Sequence, residues 1–140
     1  MIIFGIDYGD VRTGISVCDK NETFASPVSS IIQRNRDKLI DEIITLIKEY
    51  SVDLLVIGLP KNMDSSIGER AQKCIEFADL LTEKSGIPHI MRDERLSTVS
   101  AHLALNYTDT RGKKRKSAVD QVSAVIILQD YLDYKRNLKV

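Results

Sequence analysis

The spacing of apolar residues changes once along this 140-residue chain, near residue 36, and the change leaves few topologies open. Before it lie three short apolar or β-branched runs separated by turns. "MIIFGIDY" reads as a strand buried on both faces. "TGISVCDK" (13–20) reads as a second strand, joined to the first by a glycine-containing turn around Tyr8–Arg12. Asn21 and Glu22 turn the chain again, and "TFASPVSSIIQ" (23–33) is a third extended segment in which Pro27 favours an edge. Strands joined this closely make an antiparallel meander.

After residue 36 helices alternate with strands. In "DKLIDEIITLIKEY" (37–50), Leu39, Ile40, Ile43, Ile44, Ile47 and Tyr50 fall on one helical face. "VDLLVIGLP" (52–60) is a buried strand closed by Gly58 and Pro60. Ser66 and Glu69 have the spacing of a capping box for a helix to about Lys84, which Gly86 and Pro88 stop. "HIMRD" (89–93) is a short strand, and Ser97 caps a helix through about Leu105. Thr108–Lys116 reads as a loop, after which Ser117 opens a last helix through about Tyr134. The order β-β-β-α-β-α-β-α-α calls for right-handed crossovers between parallel strands after the meander. The expected architecture is one α/β domain over residues 1–140, of ribonuclease H-like plan. Its five-stranded mixed sheet has three antiparallel and then parallel strands, with helices on both faces.

Composition excludes several classes. Apolar residues make up 43% and charged residues 29% of the chain, as in a soluble globular domain. The longest apolar runs, "LLVIGL" and "AVIIL", are too short to span a bilayer, and the N-terminal stretch lacks the marks of a signal peptide. A cytoplasmic protein with no membrane partner is expected. Cys18 and Cys74 lack CxxC spacing and read as reduced core residues. The formal net charge of zero hides an asymmetry: residues 1–110 carry 12 Lys/Arg against 17 Asp/Glu, and residues 111–140 carry 8 against 3. The densest basic stretch is "RGKKRK" (111–116), which is either a solvated loop or a phosphate-binding patch.

Three acids stand at element ends, where α/β sheets build sites: Asp7 after the first strand, Glu94 after the fifth, and Asp120 near the start of the last helix. Each has a structural alternative. Asp7 suits an Asx-turn into Gly9. Glu94 suits an ion pair with Arg92 or Arg95. Asp120, three residues after Ser117, suits a helix N-terminus. Taken together beside a basic segment, they suit phosphodiester hydrolysis. Mg²⁺ and Mn²⁺ prefer hard oxygen ligands, and two such ions can stabilise both the attacking and the departing oxygen. His89 and His102 are isolated, and the chain has neither GxGxxG nor a P-loop. Gly5, Gly9 and Gly14 would allow a close approach of another backbone, nucleic acid or strand, near Asp7.

Four stretches in this order resemble the YqgF family, also called RuvX, of pre-16S rRNA nucleases and Holliday junction resolvase-like proteins. They are "GIDYGDVRTGIS" (5–16), "VIGLPKNMDSSIGERA" (56–71), "RDERLST" (92–98) and "KKRKSAVDQVSAVIILQDYL" (113–132). The resemblance implies a ribonuclease H-like nuclease with Asp7, Glu94 and Asp120 as catalytic metal ligands. Mg²⁺ or Mn²⁺ is the implied cofactor, as two ions with substrate bound. Arg12, Lys61, Asn62, Arg95, Arg111, Lys113, Lys114, Arg115 and Lys116 look like substrate-binding positions. The implied partner is structured RNA, namely precursor 16S rRNA or the ribosomal precursor particle that holds it, or else branched DNA. The acting form is a monomer or a homodimer. Ser65 stands where the family pattern NMDGS has glycine. Ser123 and Ala124 occupy the turn where RuvC-type resolvases carry a further acid. Two other readings remain: a non-catalytic RNA-binding assembly factor, and a nucleotide-binding module, since "DYGDVRTG" also looks like the first phosphate loop of actin and the sugar kinases.

Overall fold

Along β1 (Ile3–Asp7) alternate side chains enter two different apolar clusters, and the protein is built around that division. The computed structural model describes residues 1–60, 68–93 and 112–138, with 112–121 given by backbone alone. β2 (Arg12–Cys18) pairs antiparallel with β1, and β3 (Ala25–Ile32) pairs antiparallel with β2. β4 (Leu54–Leu59) pairs parallel with β1, and β5 (His89–Asp93) pairs parallel with β4. The sheet order is therefore β3-β2-β1-β4-β5, the meander followed by two crossover strands that the sequence calls for.

Phe4 and Ile6 face α1 (Arg36–Tyr50) and α2 (Glu69–Ser85), in a cluster with Leu39, Ile43, Phe77 and Leu81. Ile3 faces the other way, onto Ile127, Leu128 and Leu132 of α3 (Gly112–Asn137). Helices thus cover both faces. Asn35 caps α1 by accepting the Lys38 N–H at 3.0 Å, and Gly86, at φ +76°, ends α2 in a conformation that favours glycine. β3 is an edge strand, and it is protected in two ways: Pro27 removes a donor, and a register shift opposite Ile15 and Ser16 interrupts the ladder. Cys18 and Cys74 are buried and unbridged, as expected.

Two boundaries differ from the sequence reading. α2 starts at Glu69 with Gly68 as its N-cap and no side-chain cap bond, so Glu69 is the first residue of the helix and not the third. Gly68 is extended at φ −88° and ψ −175°, which suits an N-cap, and glycine is accepted there without a capping side chain. Ser66 lies outside the described residues. The second difference is larger: α3 begins at Gly112, so residues 112–116 are helical and not a loop. Lys and Arg are strong helix formers, and the one glycine sits at the first position, so nothing in the run stops the helix. Asp120 is consequently in a helix interior, and the N-terminal capping role no longer accounts for it. The helix expected from Ser97 to Leu105 falls outside the described residues.

The far end of the sheet is closed by Glu22, which is in the left-handed region at φ 56°. Its carboxylate accepts from Lys135 Nζ at 2.6 Å and from the Met1 ammonium at 3.5 Å. The Lys135 hydrogen bond holds the Glu22 pKa below its ordinary 4.5. A depressed carboxylate stabilises the fold fully above its unfolded pKa, and that contribution fades as pH falls through the folded value. Glu22→Gln is expected to lower stability at pH 7 by less than about 1 kcal/mol, because the pair is partly solvated. In thermal melts run at several pH values, the difference from wild type should close as pH falls below 4.5.

Candidate active site

Asp7 is the last residue of β1 and pairs with Gly14 of β2. Alternation along the strand puts it on the face of Ile3 and Gly5, the α3 side. At Gly5 the helix comes very close. A Cβ there would lie 2.4 Å from Ser16 Oγ, 2.7 Å from the Ala124 carbonyl oxygen and 2.7 Å from Leu128 Cβ. The buried Ser16 hydroxyl donates to that same Ala124 carbonyl at 2.7 Å. The glycine near Asp7 therefore serves the packing of this chain's own helix and not the approach of a nucleic acid. Nearer the other end of the sheet, Gln129 accepts from Ala25 N–H and donates to Thr23 C=O, both at 2.9 Å.

Helix α3 thus runs antiparallel to β1, with Gln129 toward the start of β1 and Ala124 over Gly5. One further step, two residues along β1 and four along α3, is about 6–7 Å on each element. Continued by that step, the register runs from Gly5 toward Asp7 on the strand and from Ala124 toward position 120 on the helix. The side chain of Asp120 lies outside the described residues, as does Glu94, the residue that follows the end of β5 at Asp93.

The turn after Asp7 is not closed through an Asx-turn into Gly9. The Gly9 N–H donates to Thr13 Oγ1 at 3.3 Å, and a Cβ at Gly9 would lie 2.0 Å from the Arg12 carbonyl oxygen. The turn is also fastened from outside. Arg70, on the first turn of α2, donates to Asp10 at 2.9 Å and to the Tyr8 carbonyl, and its guanidinium lies 5.4 Å from the Tyr8 ring centre. Tyr8 in turn stacks on Phe77, with ring centres 4.0 Å apart and 4° between planes. Sequence reasoning did not single out Arg70. Its partners are some 60 residues away, and no local spacing announces such a contact. Burial first, and then the Asp10 charge, push the Tyr8 phenol above its ordinary pKa of 10.0, so it stays protonated at neutral pH. Beside Tyr8, on the α1 and α2 side, opens a cleft of about 470 Å³ lined by Asp10, Arg36, Asp37, Lys73 and Glu76.

At the other border, Arg92 is engaged with Asp130 and lies over the Tyr134 ring. His89 contacts Thr82 Oγ1 at 2.6 Å and Asp79 at 3.5 Å, which tethers the start of β5 to α2. His102 lies outside the described residues. Arg12 opens β2 opposite Ile32 and is partly exposed. Lys61, Asn62, Arg95 and Arg111 lie outside the described residues, and Lys113, Lys114, Arg115 and Lys116 are placed by backbone on the first turns of α3.

Among the described residues no group of three His, Cys, Asp or Glu converges. Of the three acids, Asp7 alone is described with its side chain. The surroundings of Asp7 fit a divalent ion bound by oxygens. Asp7 ends the central strand, its cross-strand neighbour Gly14 has no side chain to crowd the carboxylate, and no group of His or Cys donors converges there among the described residues.

The family model RuvX, described as Holliday junction resolvase, matches residues 1–134. A protein of Halothermothrix orenii, named provisionally as a pre-16S rRNA nuclease, is 43% identical over 99% of each chain. A protein of Desulfitobacterium hafniense with the same provisional name is also 43% identical, over 97% of this chain and 94% of its own. Among solved structures, T. thermophilus RuvC in complex with a Holliday junction substrate matches with a TM-score of 0.62 at 10% identity, over 98% of this chain and 96% of its own. The fowlpox virus Holliday junction resolvase matches with a TM-score of 0.57 at 13% identity, over 96% of this chain and 99% of its own. At such identities these two similarities establish the ribonuclease H-like fold.

Proposed function

The chain belongs to the RuvX family, and from that premise we propose that it is a metal-dependent endonuclease that hydrolyses phosphodiester bonds in the 5′-end processing of precursor 16S rRNA. The observation that supports this reading is the close approach of α3 to β1 at Gly5, four residues along the helix from position 120 and two along the strand from Asp7. Asp7, Glu94 and Asp120 would hold Mg²⁺ or Mn²⁺, with two ions once substrate is bound. Bound there, the ions would supply charge stabilisation for the attacking and leaving oxygens and an acidified water.

The chain's own residues would do the rest. Asp7 would present its carboxylate from a strand end whose following turn is bridged by Thr13 and Arg70. Arg12, Lys61, Asn62, Arg95, Arg111 and the basic run Lys113–Lys116 would neutralise and orient substrate phosphates, an effect that fades with salt. Carried on helical turns, the basic run would present its charges at a fixed pitch and not as a loose tether. No RNP-like aromatic set is present, which favours recognition of RNA shape and backbone over base reading. No helix among the described residues is long and apolar enough to cross a membrane, and a cytoplasmic site of action suits a precursor rRNA substrate.

A second reading, cleavage of branched DNA, is favoured by the description that the family model carries. A cleavage assay that offers the protein an RNA spanning the precursor 5′ region and a four-way DNA junction, at equal concentrations in Mg²⁺, separates the two. Faster cutting of the RNA is the expected outcome. Symmetric cutting of the junction with the RNA left intact would transfer the assignment to branched DNA.

A further inference from the structure

We propose that Arg92 is a positioning residue for the metal site: its clasp on Asp130 and Tyr134 sets how the end of β5 stands relative to α3. The proposal rests on the reading of Glu94 and Asp120 as metal ligands, since Glu94 follows β5 in the chain and Asp120 lies on α3.

β5 is an edge strand, and α3 packs chiefly on β1, β2, β3 and β4. Ile90 reaches only the margin of the α3 cluster. Arg92 provides a polar link between β5 and α3. Its Nη2 donates to Asp130 Oδ2 at 2.5 Å, and its guanidinium carbon sits 4.9 Å from the Tyr134 ring centre. Only 26% of the Arg92 side chain is exposed, and Nε is buried without a hydrogen-bond partner. A guanidinium that gives up one donor to stack on a ring is held by shape as well as charge, which a lysine cannot reproduce.

The lever is short on one side and stiff on the other. Glu94 follows Arg92 by two residues, at most about 7 Å of chain. Asp120 precedes Asp130 by ten residues on one continuous helix, about 15 Å along its axis. Fixing Arg92 on Asp130 therefore restricts where the strand end emerges beside the helix. An ordinary surface ion pair would have no such consequence.

The test compares wild type with Arg92→Gln, Arg92→Lys and Asp130→Asn. The readouts are Mn²⁺ binding by titration calorimetry and the Mg²⁺ concentration for half-maximal RNA cleavage. Asp130 is about half exposed on a helix surface, so Asp130→Asn keeps the fold even if an Arg92 variant does not. The expected result is about tenfold weaker Mn²⁺ binding for Arg92→Gln and Asp130→Asn, with cleavage at saturating metal within about twofold of wild type. Arg92→Lys should fall between. Unchanged Mn²⁺ affinity in both Arg92→Gln and Asp130→Asn would overturn the proposal. Glu94→Gln, measured alongside, separates the causes. If it binds Mn²⁺ and cuts RNA like wild type, the ligand assignment fails and the Arg92 role with it. If Glu94→Gln is impaired while the Arg92 and Asp130 variants are not, only the Arg92 role fails.

Discussion

Asp7→Asn is expected to slow divalent-dependent cleavage by about 10²–10⁴-fold, because metal stabilisation of the transition state is worth several kcal/mol and each 1.36 kcal/mol is tenfold in rate. The substitution keeps size and one oxygen but removes the charge that would hold the ion. The fold should not suffer. Asp7 is a half-buried strand end, and the turn beyond it is held by Thr13 and Arg70. If Glu94 and Asp120 share the site as proposed, loss of one negative charge would relieve repulsion. The melting temperature without metal should therefore stay level or rise. Melting curves with and without Mn²⁺, run beside the cleavage assay, check both halves: the stabilisation by Mn²⁺ seen for wild type should shrink in the variant. Cleavage within about threefold of wild type would remove Asp7 from the set of ligands.

Gly5→Ala should lower stability clearly, because the added methyl has no room. Two of the three atoms the new Cβ would meet, the Ala124 carbonyl oxygen and Leu128 Cβ, belong to the helix framework and cannot rotate away. The remaining one is the Ser16 hydroxyl that tethers Ala124, so its movement breaks the bond that sets the approach. Overpacking of this kind costs about 1–3 kcal/mol, or roughly 3–10 °C in melting temperature for a domain of this size. The functional effect should exceed what the lost stability explains. If α3 retreats from β1, position 120 moves away from Asp7, and a misplacement of about 1 Å can cost about 100-fold in rate. Cleavage assayed well below the lowered melting temperature separates misplacement from unfolding. Wild-type melting and cleavage in Gly5→Ala would mean that the close approach of α3 does not govern the site.

These two residues also mark how far the sequence could be read. Alternation and period gave the three-strand meander, the crossover strands β4 and β5 and the helices α1 and α2, because apolar spacing responds directly to which face is buried. The start of α3 was misread because Ser117 has the chemistry of an N-cap while Gly112–Lys116 has the propensity to continue a helix, and propensity decided. That shift matters for function, since it removes the capping explanation for Asp120 and turns a basic loop into a basic helical end. Gly5 was legible as a place of close approach, but which partner approached was not. The partner is Ala124, more than a hundred residues downstream. Arg70 and Arg92 escaped for the same reason: each is fixed by partners on distant elements, through contacts that leave no local pattern.

The most direct measurement is cleavage, by purified protein, of an RNA spanning the 5′ end of precursor 16S rRNA, with Mg²⁺ and after chelation, using wild type beside Asp7→Asn. The expected result is a discrete cut in the precursor 5′ region by wild type with Mg²⁺, and none by wild type in chelator or by Asp7→Asn in Mg²⁺. Cutting that persists in chelator, or in the variant at the wild-type rate, would contradict a metal-dependent site built on Asp7.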